Sequence, residues 1–277
     1  MAQPSLPPRV SVVIPVKDDD AELARCLRAL AAQSRPADEV IIVDNASTDA
    51  SAAVARGAGA RVVRCDEPGI PATAARGYDA AHGDVLLRLD ADCVPAPTWI
   101  AAMVRAFAAR PDVAAVVGGA RFIDGPRPLR RPLAAIYLGF YAAVGTVALG
   151  HLPLFGSNLG VRRQAWLDIR SSVHRHDPEL HDDLDLSFHL GERGRIRFAP
   201  AGGMGISMRP FGSGRSFRRR IARGFRTVVV HWPHDFPPER WRRLLGRKLA
   251  LLISRASRAV RRTRRRGCTA GARSSRS

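Results

Sequence analysis

The sequence predicts an α/β protein with a doubly wound, mostly parallel sheet flanked by helices. Short apolar runs that suit buried strands alternate with amphipathic segments that suit helices over residues 10–89. Several of these runs end in acidic residues. Because ligands bind at the carboxyl ends of parallel strands, acids in this position indicate a binding crevice along one edge of the sheet.

The predicted strands and helices follow one another at short spacing. The first helix is indicated by Leu23, Leu27 and Leu30, which recur at the spacing of one helical face. A polar turn at 45–49 begins a second helix that runs toward Arg56. In chain order we expect a strand at 10–15, a helix at 20–32, a strand at 39–43, the helix ending near 56, a strand at 61–64, a helix at 70–81 and a strand at 85–89.

Charge divides the chain into two parts. The formal net charge is +19, yet residues 215–277 carry twenty Lys and Arg against two acids, and residues 1–214 are nearly neutral. We therefore expect an N-terminal extension at 1–9, a main domain at 10–214 and a basic helical region at 215–277 that ends in a disordered tail. The basic region indicates an anionic partner, either phospholipid or nucleic acid.

Several common kinds of site are absent from the sequence. It contains neither a Gly-x-Gly-x-x-Gly fingerprint nor a P-loop, and no Gly-x-Ser-x-Gly elbow. The four cysteines have no Cys-x-x-Cys spacing, so they suggest neither a zinc site nor a disulfide framework. Because the N-terminus lacks the pattern of a signal peptide, we expect a cytoplasmic protein.

The first candidate site is the pair Asp90 and Asp92, which follows the apolar run Val85–Leu89. Mg²⁺ and Mn²⁺ prefer carboxylate and phosphate oxygens, so this pair can hold a divalent cation that binds a phosphorylated substrate. An alternative interpretation is that both acids are solvated and only cap the next helix, which Pro95 and Thr98 could begin.

A second acidic cluster consists of Asp182, Asp183 and Asp185. Leu184 and Phe188 give the segment an apolar helical face, which places the three acids in the first turn of a helix. Acids at this position complement the helix dipole, and that explains one or two of them. Crowded carboxylates also raise one another's pKa values, so the cluster could supply a general base.

Together these motifs resemble those of a family 2 glycosyltransferase. The resemblance rests on residues 12–17, 41–49, 75–77, 81–85 and 90–92, and continues through 156–163 and 182–186 in matching order and spacing. It implies the GT-A fold, a nucleotide-sugar donor and transfer with inversion. It also implies a nucleotide-sugar half at about 10–95 and an acceptor half at about 96–214.

The resemblance also implies roles for single residues. Asp92, with Asp90, would bind a Mn²⁺ or Mg²⁺ ion on the diphosphate, and Asp183 or its neighbour Asp182 would be the base. Asn158 and Asp185 would lie on the acceptor side. The residues implied to bind the nucleotide sugar are Pro15, Lys17, Asp44, Asn45, Arg76 and Asp90.

Two positions depart from the family pattern. Gly77 stands where the family often has Asn, which weakens the assignment of contacts for that loop. Asp182 replaces the usual Glu and keeps the charge with a shorter reach, so either Asp182 or Asp183 could be the base. Asp183 aligns with the family's catalytic Asp.

Residues 133–150 contain no charge and are long enough to suggest a membrane span. A span there would separate Asp92 and Asp183 by a bilayer. We therefore expect a buried or interface-facing helix beside the acceptor pocket.

After the main domain, Phe217, Ile221 and Phe225 recur at four-residue steps among arginines, which predicts a basic amphipathic helix. The helix would lie on an anionic membrane, or its apolar stripe would pack on the core. His231 could complete a metal shell or simply end a strand at 227–230.

From the sequence we therefore expect a peripheral enzyme on the inner face of the plasma membrane, with a lipid-linked or other hydroxyl acceptor from the cell envelope. The alternatives are a catalytically silent module of the same fold and a basic nucleic-acid-binding protein. Nucleic-acid binding is the weaker of these, because no recognised nucleic-acid module accompanies the charge.

Overall fold

The protein is described here by a computed structural model, which describes residues 7–250 except 109, 111, 212 and 248, and omits the side chain of Pro210. Its centre is one eight-stranded sheet with the strand order β3-β2-β1-β4-β7-β6-β8-β5. Contacts divide the chain into a unit that ends at Trp232 and a second unit that begins at Pro233. In the second unit, residues 237–247 form a helix.

The first half of the sheet is parallel, as the sequence predicts. β1 pairs with both β2 and β4, and β2 pairs with β3, all in parallel register. Helices connect these strands, so apolar strands are covered on both faces. The bounds are β1 Val10–Val16, α1 Asp20–Ala31, β2 Glu39–Asp44, α2 Ser51–Gly57, β3 Arg61–Arg64, α3 Ile70–Ala80 and β4 Val85–Arg88.

The second half of the sheet is mixed. β7 runs antiparallel to both β4 and β6, whereas β6 and β8 are parallel to each other, and β5 joins the edge through β8. The bounds are β5 Val94–Pro95, α4 Trp99–Ala108, β6 Val113–Phe122, α5 Arg130–Leu149, β7 Leu159–Arg162, α6 Arg163–Ile169, α7 Asp182–Arg193, β8 Arg195–Ile206 and α8 Gly214–Val230.

Helix α8 belongs to the first compact unit, so the division falls after Trp232 and not at 214/215 as predicted. The reason is a set of contacts between α8 and the segment before α7. Arg223 and Arg226 pair with Glu179 and Asp177, and the hydroxyl of Thr227 accepts from the backbone N–H of His181. Residues 227–230 form the last turn of α8 and not a strand.

Helix α5 carries the apolar segment at 133–150. The helical segment Arg127–Leu149 is long and apolar enough to cross a membrane, and 22% of its most apolar window is buried. The buried share is small for a core helix. Of the two alternatives predicted, an interface-facing helix describes α5 better than a buried one.

Close packing between α3 and the sheet explains Gly77. A Cβ atom added at Gly77 would lie 2.3 Å from Cγ1 of Val13 and 2.7 Å from Cγ2 of Val43. Both valines are fully buried. Glycine at this position therefore lets α3 approach β1 and β2, and a side chain would force the helix away from them.

Gly77→Ala should lower the free energy of unfolding by about 1–3 kcal/mol, because the added methyl group overpacks a rigid core. Gly57→Ala is the matched control, since a Cβ there meets nothing within 4 Å and alanine favours the helix. Urea unfolding of both variants measures the difference. Equal stability of the two variants would contradict this account of α3.

Candidate active site

Three neighbouring parallel strands bring their carboxyl ends to one edge of the sheet. Val16 of β1 lies beside Asp44 of β2, and Val13 of β1 lies beside Arg88 of β4. The residues that end or follow these strands therefore share that edge. They are Lys17, Asp44, Asn45, Asp90 and Asp92.

On the side of β2, two polar residues make hydrogen bonds within the protein. The side-chain amide of Asn45 donates to the carbonyls of Cys65 (2.9 Å) and Glu67 (2.7 Å), so it holds the loop that precedes α3. Asp44 is buried and accepts from the backbone N–H of Ser47 at 3.0 Å. Asn45 therefore orders the walls of this part of the crevice.

The remaining residues predicted to bind the nucleotide sugar differ in exposure. Pro15 is buried in β1, whereas Lys17 and Arg76 are exposed. Within residues 7–250 neither cation takes part in an ion pair. The two cations are accordingly accessible to an anionic ligand at this edge, whereas Pro15 is buried in the strand beneath it.

A buried arginine joins the two acidic clusters. Arg88, at the end of β4, donates to Asp90 Oδ1 at 2.9 Å and to Asp182 Oδ2 at 2.7 Å. Its side chain is 2% exposed. Burial alone would lower the pKa of Arg88, but Asp182 and Asp90 raise it, so the guanidinium stays charged. The contact brings the carboxyl edge of the sheet and the start of α7 together.

The two candidate bases have different surroundings. Burial raises the pKa of Asp182, Arg88 opposes that rise, and Asp183 and Asp90 add to it. Asp183 is also buried, but its carboxylate accepts from the backbone N–H of Gly156 and that of Leu184, both at 2.8 Å. Asp182 is thus oriented by a cation and Asp183 by two backbone amides.

Asp92 faces a second arginine at the opposite side of the cluster. Arg209 lies in the short helical turn after β8, and its Nη2 is 2.8 Å from Asp92 Oδ2. The same guanidinium donates to both oxygens of Asp19, and these hydrogen bonds raise the pKa of Arg209. Burial raises the pKa of Asp92, and the charge on Asp90 adds to the effect.

Asp90 and Asp92 line a small cleft of about 80 Å³ that opens to solvent. Arg220 of α8 enters the same cleft and donates to the hydroxyl of Tyr137 on α5. The cleft therefore combines carboxylates, one cation and an aromatic wall. The other residues that line it are Phe122, Phe155, Ser157, Ile206, Ser207 and Phe211.

The donor atoms at this edge fit a hard divalent cation. Candidate ligand atoms of Asp90, Asp92 and Cys93 lie within 4.8 Å of one another. Cys93 offers a sulfur atom, which is a soft ligand that Mg²⁺ and Mn²⁺ do not favour. Two carboxylates remain, which matches the way Mg²⁺ and Mn²⁺ share their shells with substrate phosphates.

Asn158 and Asp185, which the resemblance places on the acceptor side, both make hydrogen bonds to protein groups. Asn158 is fully buried; its amide donates to the carbonyls of Gly119 and Gly202, and its oxygen accepts from the indole N–H of Trp99. Asp185 lies among histidines and accepts from the ring of His174 at 2.6 Å. Both side chains are occupied by protein groups, because each ties together segments that are distant in the sequence.

Known proteins resemble this chain in sequence and in fold. The sequence profile described as Glycosyl transferase family 2 matches residues 11–168, which is more than half of the chain. The chain belongs to glycosyl transferase family 2. This membership confirms the predicted family and the prediction of a glycosyltransferase at family level.

One curated relative is glycosyltransferase AglE from Haloferax volcanii, which is 32% identical over 101 residues. The match spans 34% of this chain and 33% of AglE, so the chain matches about a third of the length of that relative.

Solved structures confirm the predicted GT-A fold of this family member. A mannosyltransferase from Pyrobaculum calidifontis in complex with GDP-Man and Mn²⁺ has a TM-score of 0.63 at 20% identity, covering 92% of this chain and 81% of that one. Glucosyl-3-phosphoglycerate synthase from Mycobacterium tuberculosis, with Mn²⁺, UDP-glucose and phosphoglyceric acid, has a TM-score of 0.56 at 20% identity over 80% of each chain.

Sequence reasoning missed the three arginines of the site. Arg88 stands inside an apolar run, where it reads as an isolated charge, although a charge in a buried strand signals a buried partner. Arg209 and Arg220 lie among many basic residues of the C-terminal part, so nothing in the local sequence distinguishes them.

Arg88→Met should destabilise the protein by about 3–5 kcal/mol at mildly alkaline pH, because it leaves buried carboxylates without their cation. Burial raises the pKa of Asp182 to about 7 although Arg88 opposes the rise, so the contribution of the Arg88–Asp182 pair is complete above that pH and is lost as the pH falls below it. The destabilisation should therefore shrink as the pH falls. Urea unfolding over a pH series measures it.

Arg105→Met is the matched control for this prediction. Arg105 is exposed on α4, and its replacement should change stability by less than about 0.5 kcal/mol at every pH. A loss for Arg88→Met that does not vary with pH would rule out the coupling to Asp182.

Proposed function

We propose that this protein transfers a sugar, with inversion, from a nucleotide-diphosphate sugar to a hydroxyl acceptor with the help of a divalent cation. The carrying observation is that Arg88 joins Asp90, at the carboxyl edge of the sheet, to Asp182, at the start of α7. A pair of acids suited to a metal and a pair suited to proton transfer thus adjoin one another. This is the arrangement that a direct displacement requires.

On the donor side, the nucleoside would lie along the ends of β1 and β2. Asp44 would accept hydrogen bonds from the base, and Asn45 holds the loop that leads to α3. The exposed cations Lys17 and Arg76 suit the ribose and phosphate region of the donor.

Asp183 is the general base of the proposed reaction. Two backbone amides orient its carboxylate, and free lone pairs on its oxygens can take the proton of the acceptor hydroxyl as that oxygen attacks the anomeric carbon. The bond from the anomeric carbon to the diphosphate breaks in the same step. Asp182 keeps Arg88 in place and orients the cluster.

The charge of the departing nucleoside diphosphate is stabilised from two directions. A Mn²⁺ or Mg²⁺ ion held by Asp90 and Asp92 would act as a Lewis acid on the diphosphate oxygens. Arg220 enters the same cleft and supplies a fixed positive charge. Arg209, which pairs with Asp92 and Asp19, can transfer its contacts to a phosphate.

Asp183→Asn should lower kcat by about 10²–10⁴-fold while leaving donor binding intact, because only proton transfer is lost. Asp92→Asn should remove the dependence of donor binding on the metal as well as turnover. Turnover and thermal shift with UDP-, GDP- and dTDP-sugars, each with Mn²⁺ or Mg²⁺, measure these effects.

The controls distinguish the alternatives. Asp168→Asn, at an exposed acid on α6, should keep full turnover. If Asp182→Asn loses more turnover than Asp183→Asn, the base is Asp182. Donor binding without turnover in the unaltered protein, with every acceptor tried, would favour a catalytically silent module.

We further propose that the protein works as a peripheral enzyme on the inner face of the plasma membrane, with a lipid-linked or other cell-envelope acceptor. Helix α8 exposes Phe217, Ile221 and Phe225 between arginines. Helix α5 exposes a further apolar stripe, in which Ile136 is 69% and Phe140 is 68% exposed. Apolar side chains beside arginines suit an anionic lipid interface.

The same two helices border the cleft. Tyr137 of α5 and Arg220 of α8 line it, while their neighbours Ile136 and Ile221 are exposed on the surface. An acceptor anchored in the membrane could therefore reach Asp183 without leaving the bilayer surface. This proximity supports a lipid-linked acceptor over a freely soluble one.

Replacing Phe217, Ile221 and Phe225 together by Ser should reduce binding to vesicles that contain phosphatidylglycerol at least several-fold, because the apolar contribution to interfacial binding is lost. Flotation at moderate salt, which weakens purely ionic attraction, measures the effect. Ile70→Ser with Phe198→Ser is the control, since both residues are exposed and apolar but lie on other elements. Equal binding of all three proteins would argue against this surface.

A further inference from the structure

A cluster of three histidines and one aspartate lies on α7 apart from the proposed reaction centre. Asp185 and His189 are one helical turn apart on α7, His174 comes from the loop before it, and His231 caps the end of α8. Asp185 and His231 are buried, with 4% and 7% of their surfaces exposed. None of the four residues lines the cleft that contains Asp90 and Asp92.

The four side chains converge on a volume the size of one metal ion. One ligand atom from each lies within 4.8 Å of the ligand atoms of the other three. From Asp185 Oδ1, His174 Nδ1 is 2.6 Å away, His231 Nε2 is 3.2 Å away and His189 Nε2 is 3.6 Å away. A tetrahedral zinc ion with bonds of about 2.0–2.2 Å separates its ligand atoms by about 3.3 Å. The contacts of His231 and His189 match this spacing, whereas the shorter His174 contact is a hydrogen bond that zinc would replace.

Hydrogen bonding prepares His231 to be a ligand. Its Nδ1 donates to the backbone carbonyl of Thr227 at 2.7 Å, so in the neutral ring the lone pair belongs to Nε2. That atom is buried and makes no hydrogen bond within the described residues, although it faces Asp185. A backbone carbonyl that fixes the far nitrogen is the usual arrangement behind a metal-bound histidine.

The ring of His231 is also held rigidly. Phe188 stacks on it with 3.9 Å between ring centroids, and the rings of His174 and His189 lie 5.0 and 5.3 Å from it. Near Asp185, Nε2 of His189 is likewise buried without a hydrogen bond within the described residues. Two nitrogens and a carboxylate oxygen thus face one another and need a positive charge between them.

We propose that His174, Asp185, His189 and His231 bind one transition-metal ion of the zinc class. Imidazole nitrogens suit zinc and its first-row neighbours, whereas oxygen ligands suit Mg²⁺ and Mn²⁺. This set therefore differs in chemistry from Asp90 and Asp92. Four protein ligands close the shell, which is typical of a structural zinc site and leaves no position for a substrate.

The metal would join three segments that are far apart in the sequence. It would fix the loop at His174, the first turns of α7 and the end of α8 to one another. Asp182 and Asp183 begin α7, and Arg220 enters the cleft from α8. The four ligands are accordingly positioning residues, and the site would hold the proposed base and the cleft arginine in register.

The test uses the full chain, stripped of metal with a chelator and then titrated with ZnCl₂ alone. We expect one zinc ion per chain by elemental analysis. At about 100-fold excess over the dissociation constant, Tm should rise by roughly 5–10 °C. No sugar, nucleotide or acceptor is present, so this result is independent of the proposed transferase activity.

His174→Gln and His231→Gln should each lose most of the zinc-dependent rise in Tm. His176→Gln is the matched control, because that histidine is exposed, pairs with Glu67 and lies two residues from His174. It should respond to zinc as the unaltered protein does. Asp92→Asn should also keep the zinc response, which separates this site from the proposed diphosphate metal.

If the ligand variants fail to fold, Co²⁺ added to the unaltered protein provides a second measurement. The visible absorption of four-coordinate Co²⁺ with nitrogen and oxygen ligands would support the site. An unaltered protein that binds no zinc, or an equal response of His174→Gln and His176→Gln, would overturn the proposal. In that case the positive charge near Asp185 is a proton on histidine.

Discussion

The buried guanidinium of Arg88 is the interaction on which the arrangement of the site depends. It connects residues that are 94 positions apart, Arg88 at the end of β4 and Asp182 at the start of α7. Without it, the carboxylates Asp90, Asp182 and Asp183 would face one another in a buried place, at a cost that charge repulsion and desolvation make large. The same contact holds the end of β4 and the start of α7 together.

Arg88 alone does not neutralise the acids of the site, and two further arginines lie beside them. Arg209 pairs with Asp92 and Asp19, and Arg220 lies near Asp90 and Asp183. Each of these cations comes from the segment after β8. A divalent cation and an anionic donor would complete the balance, because the ion compensates the carboxylates and the arginines compensate the diphosphate.

Helix α7 contributes to two clusters from its first turn, in which Asp182 and Asp185 also line one small pocket. Asp182 and Asp183 contact Arg88 and the backbone of Gly156, whereas Asp185 turns toward His174 and His231. Any movement that loosens the histidine cluster would therefore rotate or shift the start of α7 and with it the proposed base. The histidine cluster and the proposed base are therefore coupled through the backbone of α7.

Local sequence patterns predicted the first half of the fold closely, because β1 to β4 and their helices are each specified by apolar runs and turns in a single segment. The Asp-x-Asp pair and the acids of α7 were found for the same reason. The antiparallel placement of β7 and the contacts of Arg88, Arg209 and Arg220 depend on partners distant in the sequence, which no single segment encodes. Asp185 illustrates this limit of local patterns. It follows Asp183 by two residues in the motif, but a step of two residues along a helix turns its side chain to another face.

The cleft lies beside the exposed apolar residues of the two amphipathic helices, α5 and α8. Tyr137 and Arg220 touch each other inside the cleft, and the residues beside them in the sequence, Ile136 and Ile221, are exposed. On a helix, neighbouring positions point about 100° apart, so one helix can line a pocket and present an apolar surface at the same time. Both α5 and α8 do this at the same rim. An acceptor with a polar head and an apolar tail would therefore find complementary surfaces for both parts, the head against Arg220 and Asp90 and the tail along Ile136 and Phe140, whereas a fully polar acceptor would leave this apolar rim in contact with water.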